Sequence, residues 1–439
     1  MGTRAFVSTA GLALGLSSVS CSWLNTIEAC DEDPTEVRIN QRGDQSEFTN
    51  SPQAAAAVLD SSRIWVAFVA QPLDAKTSEV RLASLNAVTG ERAVTCSDEF
   101  ELAVSDPAAL AYAPAVAPID LLVTGQAAKG AVAWMEGKVD TRARLRFFDG
   151  GTCALGKPFY AYDGTQLSAG PSIAWSATKQ ALLLAFHDTH KVSLSWVTDT
   201  TPPAPFRQWD AYSVLGLTAA SVAPNGRGVV GWAEYPDLTA LTAGKPRFRL
   251  ALIDPSGSVA AGPSGAAEPF TIEFPAAFEK GSAGLTIASR DDRHAIAVSL
   301  ALSELAREVV YVTEISAVDG HTIVPPYRVD PDTGGAHFYP SLAYAPNGSL
   351  AVAWQAADRG GTAARLFDDQ GRARFNAVSC DDAPFAVGAR ATEGMQGRPS
   401  VLFTQGRLWI THPGQPGYDS VAMGAVGWRM EWSKLWPAR

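Results

Sequence analysis

Apolar and polar residues alternate in short runs along most of this chain, and polar turns separate the runs. Such alternation over about four to eight residues is typical of half-buried β-strands. Tyr344 to Trp354 reads YAPNGSLAVAW, and Ser221 to Trp232 reads SVAPNGRGVVGW. In each stretch an Ala-Pro-Asn-Gly turn precedes an apolar strand, and a Trp lies six residues after the Gly. No stretch beyond the N-terminal segment shows a sustained helical period, so the sequence predicts an all-β protein.

The turn and the strand after it recur along the chain. Gly226 and Gly348, the glycines of the two turns, are 122 residues apart (348 − 226), and half of this distance predicts one copy between them. Ser289 to Val298, SRDDRHAIAV, is that copy. Four more runs share the pattern: LDSSRIWVAF at 59–68, AAKGAVAWME at 127–136, SATKQALLLAF at 176–186 and TQGRLWIT at 404–411. The chain therefore contains seven copies.

Each copy has further strand-like runs on both sides. A run of small residues precedes the turn, as in PSIAW from Pro171 and PSLAY from Pro340, and two more apolar runs follow. A single four-stranded sheet does not bury both faces, so the units must stack. Radial stacking gives a seven-bladed β-propeller with four antiparallel strands per blade. We expect the Pro-Ser run to be the innermost strand, where blades crowd the axis, and the Trp of the second strand to pack between blades.

The two ends of the chain are expected to close one blade together. The seventh copy offers about three strands before Arg439, and Thr35 to Thr49 can supply the fourth, which removes an open sheet edge. The prediction is a single propeller domain over residues 35–439. The alternative is a row of β-sandwich domains, which would need Pro-, Gly- and Ser-rich linkers that the sequence does not show. The Asn-Gly turns predict type I′ hairpins, in which both central residues have positive φ.

The A-P-N-G hairpin resembles the blades of TolB-like and WD40-like bacterial propellers, in which a Pro-Asp-Gly turn leads into an apolar strand. The resemblance covers residues 50–412, with Asn in place of Asp and no Gly in most copies. It implies the fold and brings no catalytic residues with it. The weakly identical repeats also resemble uncharacterised envelope lipoproteins of large-genome bacteria.

The first twenty residues have the pattern of a targeting segment. Arg4 precedes an apolar stretch of small residues from Ala5 to Val19, which is too short for a stable membrane span. The sequence S-V-S-C at Ser18 to Cys21 resembles a bacterial lipobox, although Ser18 stands where Leu is usual. The resemblance implies lipidation of Cys21, a tether over residues 21–34, and the outer membrane, since Ser22 is not Asp. A plain signal peptide cut after Ser20, giving a secreted protein, is the alternative.

Four cysteines remain after Cys21, and in an exported chain they suggest two disulfides. We expect Cys96 to pair with Cys153 and Cys30 with Cys380, because each pair lies in neighbouring blades of the predicted ring. The formal net charge of −10 argues against binding to nucleic acid or to an anionic membrane surface, so membrane association would come from the lipid alone.

Known catalytic motifs are missing from the chain: there is no G-x-S-x-G, no H-E-x-x-H, no Walker loop and no Rossmann fingerprint. VDPDTGG at 329–335 spaces two aspartates like a calcium loop but lacks the third ligand, so an ordinary turn is expected. H-D-T-H, from His187 to His190, falls in a hairpin, and a solvated turn is more plausible there than a metal site. We expect no metal and no cofactor.

The predicted blade geometry collects a set of polar side chains on one face, around the channel mouth. Loops after the second and fourth strands open there, and this face is called the top face below. Glu136 and Glu234 occupy matching places two residues after a Trp, so they could bind a cation or a polar ligand, act as paired carboxylates, or face water. The candidate ligand-binding residues are Glu136, His187, Asp188, Glu234, Gln355, Asp358 and His412.

These observations favour an exported, lipid-anchored propeller of the cell envelope that binds a protein or polysaccharide and has no chemistry of its own. The alternative is a propeller-type carbohydrate-active enzyme, a glycosidase or lyase, that uses carboxylates at the channel mouth.

Overall fold

The alternating runs form antiparallel strands joined by tight hairpins, and the strands assemble into seven sheets of four. The computed structural model describes residues 35–39, 47–56, 62–72, 77–91, 101–106, 110–123, 126–137, 141–149, 154–161, 170–188, 190–200, 203–211, 218–235, 247–274, 278–302, 307–330, 335–356, 361–374, 381–387, 398–414 and 424–431. Each sheet is one blade, so the prediction of a seven-bladed β-propeller is confirmed.

The first four blades follow the chain in order. Blade 1 contains β2 (Glu47–Ala56), β3 (Arg63–Pro72), β4 (Glu79–Asn86) and β5 (Glu101–Ala103). Blade 2 contains β6 (Ala111–Val123), β7 (Gln126–Glu136), β8 (Arg142–Phe148) and β9 (Phe159–Tyr160). Blade 3 contains β10 (Ser172–Ser176), β11 (Ala181–His187), β12 (Lys191–Val197) and β13 (Arg207–Asp210). Blade 4 contains β14 (Thr218–Val222), β15 (Gly228–Glu234), β16 (Arg247–Ile253) and β17 (Phe270–Ile272).

The last three blades complete the ring, and both ends of the chain contribute to the seventh. Blade 5 contains β18 (Phe278–Ser289), β19 (Arg293–Leu302), β20 (Arg307–Ser316) and β21 (Thr322–Arg328). Blade 6 contains β22 (His337–Tyr344), β23 (Leu350–Ala356), β24 (Gly361–Phe367) and β25 (Phe385–Val387). Blade 7 contains β26 (Ser400–Thr404), β27 (Arg407–Gly414), β28 (Gly424–Glu431) and β1 (Thr35–Arg38).

The predicted closure of the ring is also confirmed. Strand β1 pairs antiparallel with β28, with Thr35 opposite Arg429 and Arg38 opposite Val426. Ile39, directly after β1, is fully buried against residues of blades 1 and 7. The N-terminal strand therefore covers what would otherwise be the open edge of β28.

The core lies between the blades. Seven clusters of buried apolar side chains each join two successive blades, and together they run around the ring. Among the described residues, five tryptophans are fully buried, and all five lie on second strands and belong to these clusters, as the sequence predicted: Trp65, Trp134, Trp232, Trp354 and Trp409.

First strands form the inner ring, since each contacts the first strand of the next blade from β2 round to β26 and back to β2. The Ser of the Pro-Ser pattern links these strands. The Oγ atoms of Ser172, Ser341 and Ser400 each accept a hydrogen bond from a backbone N–H on the first strand of the following blade, at 2.9, 3.0 and 3.1 Å. The residues at this position in blades 1 to 7 are Gln53, Ala115, Ser172, Ala219, Gly284, Ser341 and Ser400.

The two A-P-N-G turns have the same geometry, but they are not of type I′. The N–H of Gly226 donates to Ala223 O at 2.9 Å, and that of Gly348 donates to Ala345 O at 2.9 Å. The glycines have φ of +84° and +86°, whereas Asn225 keeps a negative φ, as does Asn347. Each turn therefore closes through a single left-handed residue, and Gly supplies this conformation without steric cost.

Several sequence predictions lie outside the described residues. These are the targeting segment, Cys21 and the tether of residues 21–34, together with Cys30, Cys96, Cys153 and Cys380. Within the described ranges, no helix has the length and apolarity needed to cross a membrane.

Candidate functional site

Second strands carry most of the candidate residues to one end of the blades. Strand β7 ends at Glu136, β11 at His187 and β15 at Glu234, and Gln355 lies next to the end of β23. His412 belongs to β27, which continues two residues further. Asp358 lies outside the described residues.

The Glu136 carboxylate lies against the tryptophan two residues before it. Trp134 Nε1 donates to Oε2 at 3.2 Å, and Arg144 on the next strand donates to Oε1 through Nε at 3.1 Å and lies 3.0 Å away through Nη2. Both carboxylate oxygens therefore have partners within the blade. The guanidinium of Arg144 also stacks on the ring of Tyr160, with Cζ 3.8 Å from the ring centroid.

Glu234 repeats this arrangement two blades later and is more deeply buried, with 3% of its surface exposed. Trp232 Nε1 donates to Oε2 at 2.8 Å, and Arg247 Nε donates to Oε1 at 2.7 Å. Arg249 Nη1 lies 3.7 Å from the same oxygen, and burial lowers the pKa of Arg249. The burial of Glu234 disfavours one of the alternatives that the sequence left open, namely a carboxylate that faces water.

The arginines that hold these two glutamates were not predicted from the sequence. The signal was present, because RARLRFF at β8 and RFRLALI at β16 both place arginines at alternate positions of the third strand. Trp134 lies opposite Arg144 and Trp232 opposite Arg249 in the strand pairing. The pattern W-x-E followed by R-x-R thus recurs in blades 2 and 4, but the arginine that donates to the carboxylate differs. It is Arg144, opposite Trp134, in blade 2, and Arg247, opposite Glu234 itself, in blade 4.

The H-D-T-H stretch divides between two environments. His187 is 1% exposed, and burial lowers its pKa to about 4. His190 is exposed, and the Oδ1 of Asp188 accepts hydrogen bonds from the backbone N–H groups of His190 and Lys191 at 2.7 and 2.6 Å. Asp188 therefore caps a hairpin turn, as expected, whereas buried His187 does not belong to a solvated turn.

His412 and Gln355 also lie within the packed blades rather than fully in solvent. His412 is 2% exposed, and its Nδ1 donates to Pro413 O at 3.0 Å. Its Nε2 has no hydrogen-bond partner among the described residues, and burial lowers its pKa to about 4. Gln355 is half-buried and lies opposite Phe338 and Thr362 in the sheet.

A buried polar triad between blades 5 and 6 was not predicted as a unit. Asp330, in the stretch interpreted as a turn, is 4% exposed and accepts from Arg328 Nε at 2.7 Å and from His337 Nδ1 at 2.5 Å. His337 is the first residue of β22, so the triad ties the end of one blade to the start of the next. Across the described ranges, no three His, Cys, Asp or Glu side chains come together in a way that could hold a metal ion.

Comparison with known proteins finds similarity in structure only. No family profile and no curated protein sequence matches the chain. A protein of unknown function from Dyadobacter fermentans is 12% identical, with a TM-score of 0.49 over 90% of this chain and 97% of that one. A Penicillium chrysogenum α-L-arabinanase complexed with arabinobiose is 10% identical, with a TM-score of 0.47 over 92% of this chain and 100% of that one. The β-propeller domain of the Trilobed protease from Pyrococcus furiosus is 9% identical, with a TM-score of 0.43 over 88% of this chain and 96% of that one. Similarity at this level assigns no substrate or partner to this chain.

Proposed function

We propose that this chain is an exported, lipid-anchored propeller that binds a protein or polysaccharide of the cell envelope and catalyses no reaction. The observation that carries the proposal is the bonding of Glu136 and Glu234, the best acid–base candidates in the sequence. Each carboxylate is held by an indole N–H and a guanidinium within its blade. A carboxylate so engaged stabilises the scaffold and is poorly placed to exchange protons with a substrate.

The remaining top-face features suit a binding role. A rigid ring of blades presents loops at one end, and loops on a rigid scaffold are where binding residues concentrate. The competing glycosidase or lyase would need two or three carboxylates converging on one substrate. Turnover of a captured polysaccharide in the experiment below would therefore favour the enzyme.

Capture from envelope extract tests the binding role. The mature chain from Ser22 onward, with a removable tag, would be crosslinked gently in extract from its own source, and captured material would be identified against a bead-only control. We expect one protein or polysaccharide to be captured reproducibly, and its yield to fall several-fold when Gln355 is changed to Ala. His321→Ala, in the exposed β20–β21 turn, is the matched control and should leave the yield unchanged. Turnover of the captured polysaccharide by the purified protein would overturn the non-catalytic reading.

Lipid anchoring has a separate test. The full chain and its Cys21→Ala variant would be expressed in a bacterial host fed a clickable fatty acid. We expect label and membrane association for the natural chain and neither for the variant. A labelled Cys21→Ala chain, or an unlabelled natural chain released into the medium, would favour the secreted alternative. Separation of the two membranes by density would test the outer-membrane assignment that Ser22 implies.

A further inference from the structure

Each blade has an equivalent sequence position two residues before the Ser position of its first strand. These positions are occupied in blade order by Ser51, Ala113, Gly170, Leu217, Ser282, Tyr339 and Arg398, of which Leu217 lies outside the described residues. Two neighbouring pairs are in direct proximity. A Cβ on Gly170 would lie 2.8 Å from the Cβ of Ala113, and Arg398 Cζ lies 5.2 Å from the centre of the Tyr339 ring.

Residue type divides this set sharply. Small residues occupy the positions in blades 1, 2, 3 and 5, which the crowding of first strands explains. Blades 6 and 7 instead carry an aromatic ring and a guanidinium side by side. Packing alone does not require either group, since Ala and Gly fill the same place in other blades.

Arg398 lacks the partners that other arginines of this protein have. Arg144, Arg247 and Arg328 each bind a carboxylate. Arg146 and Arg365 bind backbone carbonyl groups of the neighbouring blade. The guanidinium of Arg398 contacts the Tyr339 ring and has no hydrogen bond or ion pair with any described residue. It is half-buried, and burial lowers its pKa.

A half-buried guanidinium without a counter-charge is well suited to bind an anion. Its five N–H donors form a planar fork that matches a carboxylate or phosphate, and the contact with the ring holds the fork in one orientation. Removing a charged group from water without a counter-charge is unfavourable, so a bound oxyanion would relieve that cost.

The backbone conformation at Tyr339 also occurs at Ala113, so the aromatic side chain is not needed to form it. Tyr339 has φ of +47°, a left-handed conformation that disfavours residues with a Cβ. Ala113, the equivalent residue of blade 2, has φ of +48°, and a Pro follows in both blades. Blades 2 and 6 thus share this conformation together with a register shift in the pairing of the first strand, while the aromatic ring is particular to blade 6.

We propose that Arg398, oriented by Tyr339, binds an oxyanion group of a ligand that enters the central channel from the top face. The oxyanion is a carboxylate or a phosphate. This inference deepens the proposed function by naming the chemistry that the binding site recognises.

Binding of small probes to the purified mature chain tests the site. D-glucuronate, inorganic phosphate and uncharged D-glucose would each be titrated to about 20 mM at constant ionic strength, and binding read by calorimetry and by the shift in thermal midpoint. We expect one or both anions to bind and glucose not to bind. Arg398→Gln should weaken anion binding at least tenfold, Arg398→Lys should retain part of it, and Tyr339→Phe should retain most of it because the ring remains.

Arg142→Gln is the matched control. Arg142 also lies over a tyrosine ring, 5.1 Å from the centre of Tyr160, but it belongs to the third strand of blade 2 and not to the inner ring. We expect this variant to bind the anions as the natural chain does. Equal anion binding by the natural chain and Arg398→Gln, with both folded by circular dichroism, would overturn the proposal. So would the absence of binding by either anion.

The two proposals fail in different ways. If no envelope partner is captured but the anions bind through Arg398, the site stands and the partner proposal falls. If a partner is captured equally by the natural chain and Arg398→Gln and no anion binds, the binding role stands and the oxyanion site falls. A preference for glucuronate over phosphate, or the reverse, would identify the kind of oxyanion.

Discussion

The position of a tryptophan along the second strand determines which neighbouring blade its side chain packs against. Trp134, Trp232 and Trp354 face the preceding blade, because each packs in the cluster shared with that blade. Trp65 and Trp409 lie three residues closer to the hairpin and face the following blade instead. An odd offset along a strand reverses the face, so tryptophans that look alike in the sequence fill different interfaces. Glu136 and Glu234 share the face of their tryptophans, which explains their bonds to the indoles.

Loss of the Glu234 charge is expected to destabilise the fold. In Glu234→Gln the amide still accepts from Trp232, but Arg247 and Arg249 lose their counter-charge, at a cost of about 2 kcal/mol. Glu136→Gln should cost about half as much, since the Glu136 side chain is 17% exposed and that of Glu234 4%. Urea denaturation midpoints measure both values. Glu273→Gln, on an exposed carboxylate of blade 4, is the control. A Glu234→Gln protein as stable as this control, with ligand capture lost, would show that the carboxylate serves the ligand and not the scaffold.

Buried histidines make stability depend on pH. Burial lowers the pKa of His187 and His412 from 6.5 to about 4 and that of His294 to about 3. The unfolded chain therefore binds protons at a higher pH than the folded chain, and stability falls as pH drops from about 6.5 towards 4. Each site contributes up to about 3 kcal/mol over that window.

The prediction is a steep fall in urea midpoint between pH 6.5 and 4.5 for the natural chain. His294→Gln should flatten this slope, whereas His321→Gln, at an exposed turn, should not. Identical slopes in the natural chain and His294→Gln would mean that this imidazole is protonated equally in both states.

At the level of the strand, the Pro-Ser pattern links one blade to the next. Its hydroxyl crosses to the first strand of the following blade, where it satisfies a backbone N–H that no ladder partner reaches. Three blades use Ser in this way, and the other blades have residues such as Ala and Gly at the same position. Six of the seven residues at this position are Ser, Ala or Gly and blade 1 has Gln53, so small size is common there and the hydrogen bond is an addition in particular blades.

Ser341→Ala tests the link between blades 6 and 7. The substitution leaves the N–H of Val401 without its acceptor, and we expect a loss of about 1 kcal/mol. Amide exchange at Val401 should become faster, while exchange at Ala220, which bonds to Ser172, should not change. Ser264→Ala, in an exposed loop of blade 4, is the control for stability. Unchanged exchange at Val401 would mean that water replaces the hydroxyl.

For the whole molecule, closure of the ring depends on four residues from the start of the domain. Strand β1 covers the edge of β28, and Ile39 fills the interface between blades 7 and 1. The first and last parts of the domain are therefore adjacent, and seven interfaces form a continuous circle instead of an open row. Without β1, blade 7 would have three strands and an unpaired edge.

A chain that begins at Glu47 is expected to lose at least about 2 kcal/mol relative to one that begins at Pro34, mainly through the loss of buried Ile39. It should also self-associate through β28, as seen by size-exclusion chromatography. A synthetic peptide of residues 34–41 should restore the monomer and the urea midpoint, and the same peptide with Ile39→Ser should do so less well. If both chains have the same midpoint and remain monomeric, β1 does not close the ring in solution.

The fold could be predicted from the sequence because its signals are local and repeated. Alternating polarity identifies strands, Pro-Asn-Gly and Gln-Gly identify turns, and the recurrence of one unit requires stacking. The predicted type I′ geometry of the A-P-N-G turns was wrong, because the same Asn-Gly sequence also forms a four-residue turn that is closed by a left-handed Gly. The site was reached only in part: Glu136, His187, Glu234 and His412 could be placed at the ends of second strands, but not their partners.

By itself, the sequence determined that this protein has seven four-stranded blades, an inner strand of small residues, tryptophans between blades and a fourth strand supplied by the N-terminal end. Each of these follows from the order of residues within one repeat or from the count of strands. Only the tertiary structure decided that Trp and Glu share a strand face with arginines of the next strand, that His412 is buried, and that Tyr339 and Arg398 meet beside the axis. The last pair is 59 residues apart (398 − 339) and meets because two blades place the same position next to each other. Contacts between repeats depend on stacking geometry, which no single repeat contains.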